Sequence, residues 1–172
     1  VLRDMTSPDG AFYSAEDADS GGVEGGFYLW RSAEITGVLG QEDAAYFARL
    51  FNIKKNGNFS DEATGTRNGL NIPHLDADGL KIAHADSRLQ RMLVTLFKHR
   101  SRRVHPHRDD KILTDWNGLM IAALAKAGRA FDSTAFIAAA EAAARWIIQN
   151  LRSPDGRLLH RYRDHHAGIP GQ

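Results

Sequence analysis

Two alanine-rich segments, residues 114–131 and 133–151, constrain what this chain can fold into more than any other part of it. In the first, Trp116, Leu119, Met120, Ala123, Leu124, Ala127 and Phe131 form one apolar stripe at helical spacing, and Ile121, Ala122 and Ala125 carry the apolar surface further round the axis. A helix apolar on nearly all sides is predicted to be buried, with Thr114 or Asp115 as its cap. Asp132 and Ser133 break the pattern, and Phe136, Ala140, Ala143, Ala144, Ile147, Ile148 and Leu151 restart it at once. So short a break predicts an antiparallel pair. Small Ala side chains let the axes approach closely, which suits a place between an inner and an outer ring of helices.

The second helix runs into Ser153, Pro154, Asp155 and Gly156, a tight turn with Pro at its first central position and Gly where a positive φ is needed. The same wording stands at Ser7, Pro8, Asp9 and Gly10, after residues that read as the frayed end of a helix. This echo suggests stacked, similar units that bury each other's open faces. Residue 1 is Val, and the chain reads as an internal piece of a longer one.

Phe12 and Tyr13, then Phe27, Tyr28, Leu29 and Trp30, read as two aromatic strands of a hairpin with a long loop, 15–26. Ser32 is placed to cap a short helix to Leu39, and residues 42–51 continue helically with Tyr46, Phe47, Leu50 and Phe51 on one stripe. Residues 56–73, with Thr64 to Thr66, show no period. Residues 86–103 read as an amphipathic helix through Leu89, Met92, Leu93, Leu96 and Phe97. Residues 158–162 read as a strand, and residues 165–172 show no structure of their own.

The 172 residues, 42% hydrophobic, suffice for one globular core. A net charge of +1 provides no field for nucleic acid or an anionic membrane, and no apolar run reaches the roughly 20 residues of a membrane helix. A soluble protein is expected, with the cytoplasm as the default compartment. There is no cysteine, hence no disulfide, thiol nucleophile or thiolate-bound zinc.

Two stretches concentrate chemistry. The first holds Glu16, Asp17, Asp19 and Glu24 beside Tyr13, Tyr28 and Trp30, a combination suited to sugar hydroxyls and sugar faces or to acid and base work. It is not a calcium loop, because counting from Asp17 puts Gly21 at the fifth position and Tyr28 at the twelfth. The plainer reading is a solvated turn. The second runs from Arg102 through His105, His107, Asp109, Asp110, Lys111 and Asp115 to Trp116 and Asn117, with carboxylates, imidazoles and a helix start close together. For Asp109, Asp110 and Lys111 the plainer reading is an ion-paired interhelical loop. Alternating His105 and His107 with Asp109 has little metal specificity, so no metal and no cofactor is assigned. His160, Arg161, Tyr162, His165 and His166 would line a cleft mouth or form a frayed end. No phosphate-binding loop, dinucleotide fingerprint, nucleophile elbow or His-Glu-x-x-His motif is visible.

Read together, the blocks Phe12 to Ser20, Glu24 to Trp30, Gly57 to Phe59, and Arg103 with Pro106, Asp109 to Thr114 and Trp116 to Ile121 resemble the YyaL-like family, a thioredoxin-domain-containing group with spermatogenesis-associated relatives. The resemblance implies a thioredoxin-like domain followed by an (α/α)6 toroid similar to N-acylglucosamine 2-epimerases and six-hairpin glycosidases. This sequence resembles only the first and middle part of that toroid, and it lacks the thioredoxin-like region with its cysteines. The expected fold is therefore mainly α, an incomplete (α/α)6 toroid of antiparallel helix hairpins with short β-hairpins at one mouth, spanning 1–172 as a single partial domain.

The resemblance implies that Glu16, Asp17, Asp19 and the segment 109–117 lie toward one mouth of the ring. Asp17, Asp19, Asp109, Asp110 and His105 are the catalytic candidates, and Glu16, Tyr28, Trp30, Lys111, Trp116 and Asn117 the substrate-binding ones. The expected function is carbohydrate-active, either an isomerase or epimerase with a His base or a glycoside hydrolase with paired carboxylates. The alternatives are a non-enzymatic ligand-binding or scaffold domain, and a fragment inactive alone that self-associates through exposed helix faces.

Overall fold

The computed structural model of the chain describes residues 1–60, 65–76, 79 and 86–170, so Thr64 of the aperiodic stretch and the last two residues of the unstructured tail lie outside the described residues. In chain order it contains β1 (Ala15–Glu16), β2 (Asp19–Ser20), β3 (Val23–Glu24), β4 (Trp30–Arg31), α1 (Ser32–Leu39), α2 (Gln41–Leu50) and β5 (Leu70–Asn71). After these come α3 (Ser87–Arg100), β6 (Arg108–Asp109), β7 (Ile112–Leu113), α4 (Thr114–Ala130), α5 (Thr134–Asn150), β8 (Leu159–Arg163) and β9 (His166–Pro170). Among the described residues the chain combines five α-helices with short antiparallel strands in small sheets. It divides into two compact units, residues 18–106 and residues 1–17 with 107 onward.

In the 18–106 unit, α1, α2 and α3 close on a core of Ile35, Phe47, Leu89, Met92 and Leu96; Phe47, Leu89, Met92 and Leu96 belong to the apolar periods read from the sequence, while Phe97, read on the same stripe, is exposed. Asp86 begins α3 by accepting hydrogen bonds from the Arg88 and Leu89 amides, and it also accepts one from the Tyr46 hydroxyl. That bond holds the Asp86 carboxyl below its ordinary range and raises the Tyr46 phenol, so a single carboxylate ties α2 to the start of α3. The strands of this unit, β2 to β5, are two residues each. Asn71, fully buried, accepts from the Lys54 amide and donates to the Trp30 and Lys54 carbonyls, fixing β5 against β4. Gly57 sits at φ 82°, and a Cβ there would lie 2.5 Å from the Leu70 carbonyl oxygen, so only glycine lets the loop close over this strand.

In the other unit, α4 and α5 form the antiparallel pair that Asp132 and Ser133 predict, and the Ser133 hydroxyl accepts from the Phe136 amide as the α5 cap. Their approach is close because Gly128 faces Ile137, where a Cβ would come within 2.5 Å of the Ile137 Cδ1. The Ser-Pro-Asp-Gly turns close as expected, Gly10 donating to the Ser7 carbonyl and Gly156 to that of Ser153. The sheet β7-β8-β9 lies beside this pair, with Ile112, Trp146, Ile147 and Leu151 in the shared core.

Five expectations are corrected. The buried face of α4 is Asn117, Leu124 and Gly128, while Trp116, Leu119 and Phe131 are exposed, so the helix is not buried all round. Alanine offers little contrast between faces, and Asn117 turns inward because its amide bonds backbone. Neither Ser32 nor Thr114 nor Asp115 caps a helix; the helices start from Arg31 and Leu113 with no side-chain bond, and Thr114 donates to the Leu159 carbonyl instead. Phe12 and Tyr13 do not form a hairpin with Phe27 to Trp30. Phe12 bridges Thr6, β1 pairs with β6, β2 with β3, and β4 with β5. Asp109, Asp110 and Lys111, read as an ion-paired interhelical loop, do hold the Asp109–Lys111 ion pair, but Asp109 lies in β6 and the segment leads directly into β7. Finally, residues 166–170 are a strand, because β9 completes backbone pairing along β8.

Candidate functional site

A cleft of about 420 Å³ opens in the unit that carries α4 and α5. Its apolar wall is aromatic. Trp146, from the last turn of α5, meets the Tyr162 ring of β8 edge-on at 4.9 Å, and Tyr13 adds a third ring, itself covered by the Arg108 guanidinium at 4.3 Å. Its polar wall contains Asp9 from the first Ser-Pro-Asp-Gly turn, Asp110 just after β6, and Asp164 and His165 from the turn between β8 and β9. Arg163 lies between two of these carboxylates, its Nε 3.1 Å from Asp110 and 3.8 Å from Asp164. Carboxylates can accept hydroxyl hydrogen bonds while rings cover apolar C–H faces, and an imidazole beside them can move a proton near neutral pH.

Of the sequence candidates, Asp110 lines this cleft. Its neighbour Asp109 is in β6 and is bound to Lys111 at 2.9 Å; that hydrogen bond holds the Asp109 carboxyl below its ordinary range. Asp109 is thus an ionised acceptor at neutral pH, unsuited to donate a proton. Glu16 pairs with Arg108 across β1 and β6, and the Asp17 amide donates to the His107 carbonyl, so both belong to the strand framework of the same unit. Trp116 is exposed on α4. Asn117, 1% exposed, accepts from the Phe12 amide and donates to the Phe12 and Leu113 carbonyls, which occupies it with backbone.

Asp19, Tyr28, Trp30 and His105 fall in the 18–106 unit. Asp19 pairs with Glu24 in the β2–β3 hairpin. Tyr28 and His105 both rest against Phe27, and Trp30 is buried under the Arg103 guanidinium, which lies 4.2 Å from its ring. Arg103, at the end of the amphipathic segment 86–103 and among the residues that carry the resemblance, has a structural role here. It donates to the carbonyls of Gly26, Phe27 and Leu29 and to Glu34, holding the aromatic segment against α1. Among the described residues no three His, Asp or Glu side chains converge as a metal site, and no helix is long and apolar enough to cross a membrane.

The cleft residues missed from the sequence are Asp9, Trp146, Arg163 and Asp164. Only the paired turns hinted at Asp9, and an aromatic residue closing an alanine-rich helix was the one signal for Trp146.

No protein-family model matches the chain. An uncharacterised protein of Caenorhabditis elegans is 31% identical over 169 residues, 85% of this chain and 23% of that protein. Spermatogenesis-associated protein 20 of mouse is 28% identical over 176 residues, 88% of this chain and 22% of its own length. The human protein of that name is 29% identical over 185 residues, 92% and 24% respectively. The chain therefore spans less than a quarter of the length of the curated relatives it matches. Similarity over so much of this chain supports the spermatogenesis-associated family as the one it resembles.

Proposed function

We propose that this chain contributes a carbohydrate-binding cleft to a carbohydrate-active domain, isomerase- or epimerase-like or glycosidase-like, and that α4 and α5 are one hairpin of the helical toroid the family resemblance implies. The observation that carries the reading is the cleft itself, whose lining brings the rings of Tyr13, Trp146 and Tyr162 together with the carboxylates of Asp9, Asp110 and Asp164. In this reading the rings take the apolar face of a sugar and Asp110 accepts from its hydroxyls. His165 is the group available to move a proton, the step that isomerisation beside a carbonyl requires. Glu16 and Asp109 belong to the β1–β6 ladder, and the Asp17 amide donates to the His107 carbonyl next to it.

The test is a panel of mono- and disaccharides offered to the protein, with calorimetric binding and both isomerase and hydrolase turnover as readouts. Asp110→Asn is expected to weaken saccharide binding about tenfold, the cost of losing a charged acceptor, while leaving folding nearly unchanged because its pair with Arg163 is half exposed. Unchanged binding in Asp110→Asn would remove this residue from the site. A second reading, a scaffold that binds protein through its helices, is favoured by the exposed apolar side chains of Trp116, Leu119, Phe131 and Ile148. It predicts no saccharide binding at all.

A further inference from the structure

The turn between β8 and β9 consists of two residues, Asp164 and His165, with Arg163 and His166 paired across it. Both central residues have left-handed backbones, φ 51° at Asp164 and 57° at His165. Two-residue hairpin turns of this hand favour Asn-Gly or Asp-Gly, because a Cβ is disfavoured where φ is positive. Turn geometry therefore asks for glycine at the second position, and the chain places an imidazole there. Both side-chain-bearing residues line the cleft. The Asp164 carboxylate approaches the same guanidinium that Asp110 engages, and with Asp9 the described residues lining the cleft include three carboxylates and one guanidinium, that of Arg163. An anionic group entering it meets like charge that this single, shared guanidinium leaves unbalanced.

We infer that the Asp164–His165 turn is the specificity-determining rim of the cleft, so that the cleft takes neutral sugars and rejects phosphorylated or carboxylated ones. The inference rests on the carbohydrate reading and adds a charge rule to it. The turn gives up the residue its backbone favours and gains a carboxylate and an imidazole at the mouth. Because Asp164 is largely exposed, solvent screens its repulsion, and its removal acts on selectivity more than on affinity for neutral ligands.

The experiment compares D-glucose with D-glucose 6-phosphate, binding each to the wild-type protein, to Asp164→Asn, and to the double variant Asp164→Asn, His165→Gly. The double variant installs the favoured turn, so its Tm is expected to hold or rise by a few degrees, which separates a lost rim from a lost fold. Wild-type protein is expected to bind glucose at least tenfold more tightly than the phosphate. Both variants are expected to narrow that ratio about threefold, the screened effect of one charge on a dianion. A ratio unchanged in the folded variants, or wild-type protein that binds the phosphate as tightly as glucose, would overturn the charge rule and leave the carbohydrate reading standing. A drop in Tm of the double variant would overturn the turn argument. Wild-type protein that binds neither sugar would end the carbohydrate reading, and this inference with it.

Discussion

Asn117→Ala is expected to destabilise the chain by about 3 kcal/mol and to lower Tm by roughly 10 °C. The side chain is 1% exposed and all its hydrogen bonds go to backbone: the Phe12 amide at 2.8 Å, and the Phe12 and Leu113 carbonyls at 2.9 Å. Truncation leaves these groups unpaired beside a buried Phe12, and each unpaired buried group costs about 1–3 kcal/mol before water or a shift of the chain recovers part of it. The loss of packing is small by comparison, since an amide contributes little apolar area. Asn117→Asp is expected to fare no better: it keeps the acceptor for the Phe12 amide but turns a carboxylate toward two carbonyls. Urea denaturation of both variants gives the comparison. Stability near wild type together with lost saccharide binding would contradict the structural assignment and return Asn117 to the ligand contacts.

Arg103→Ala is the second large loss, about 2–3 kcal/mol, read in the 18–106 unit. One terminal nitrogen of the guanidinium donates to the carbonyls of Gly26, Phe27 and Leu29, the other to Glu34 at 2.8 Å, and its plane lies over Trp30. Its side chain is 19% exposed, so these are largely desolvated bonds to a charge rather than a surface ion pair. Arg103→Lys is expected to recover less than half of the loss, because an ammonium offers a point charge with neither the fork nor the flat face. Thermal unfolding followed by tryptophan fluorescence checks the order. Equal stability of the Lys variant and wild type would show that charge alone is enough at this position.

Both residues show where sequence reading ends. The apolar periods of α2 and α3 were legible because Phe47, Leu50, Leu89, Met92 and Leu96 contrast with charged neighbours, and the same residues form the core. The α4–α5 hairpin was legible from its interruption at Asp132 and Ser133. The face α4 buries was not, because an alanine-rich helix has no strong apolar direction, and the polar Asn117 that sets its rotation reads as a substrate-binding residue rather than a buried one. Strand partners were illegible for a different reason. β1 pairs with β6 and β4 with β5 over long separations, through two residues each, so no local alternation or turn announces them. The β8–β9 turn hid because Asp164 and His165 take left-handed backbones usually given to Asn-Gly.

The candidate site followed the same division. Asp110 stood in a dense polar run and was read as chemistry, whereas Asp9 stood in a turn motif and Trp146 in a helix, each already explained by local structure. The cleft exists only where the opening turn, the end of α5 and the β8–β9 hairpin meet, and no single stretch of sequence carries that convergence. Trp30 shows the converse. Its place in an aromatic, acid-flanked segment suggested a sugar platform, and the structure buries it beneath Arg103.

The most direct test of the sugar cleft is the indole N–H resonance of Trp146, followed by NMR while the protein is titrated with the saccharide panel. The cleft reading predicts a saturable shift at Trp146 with none at the exposed Trp116. No shift at Trp146 at saturating saccharide, or a shift confined to Trp116, would contradict it.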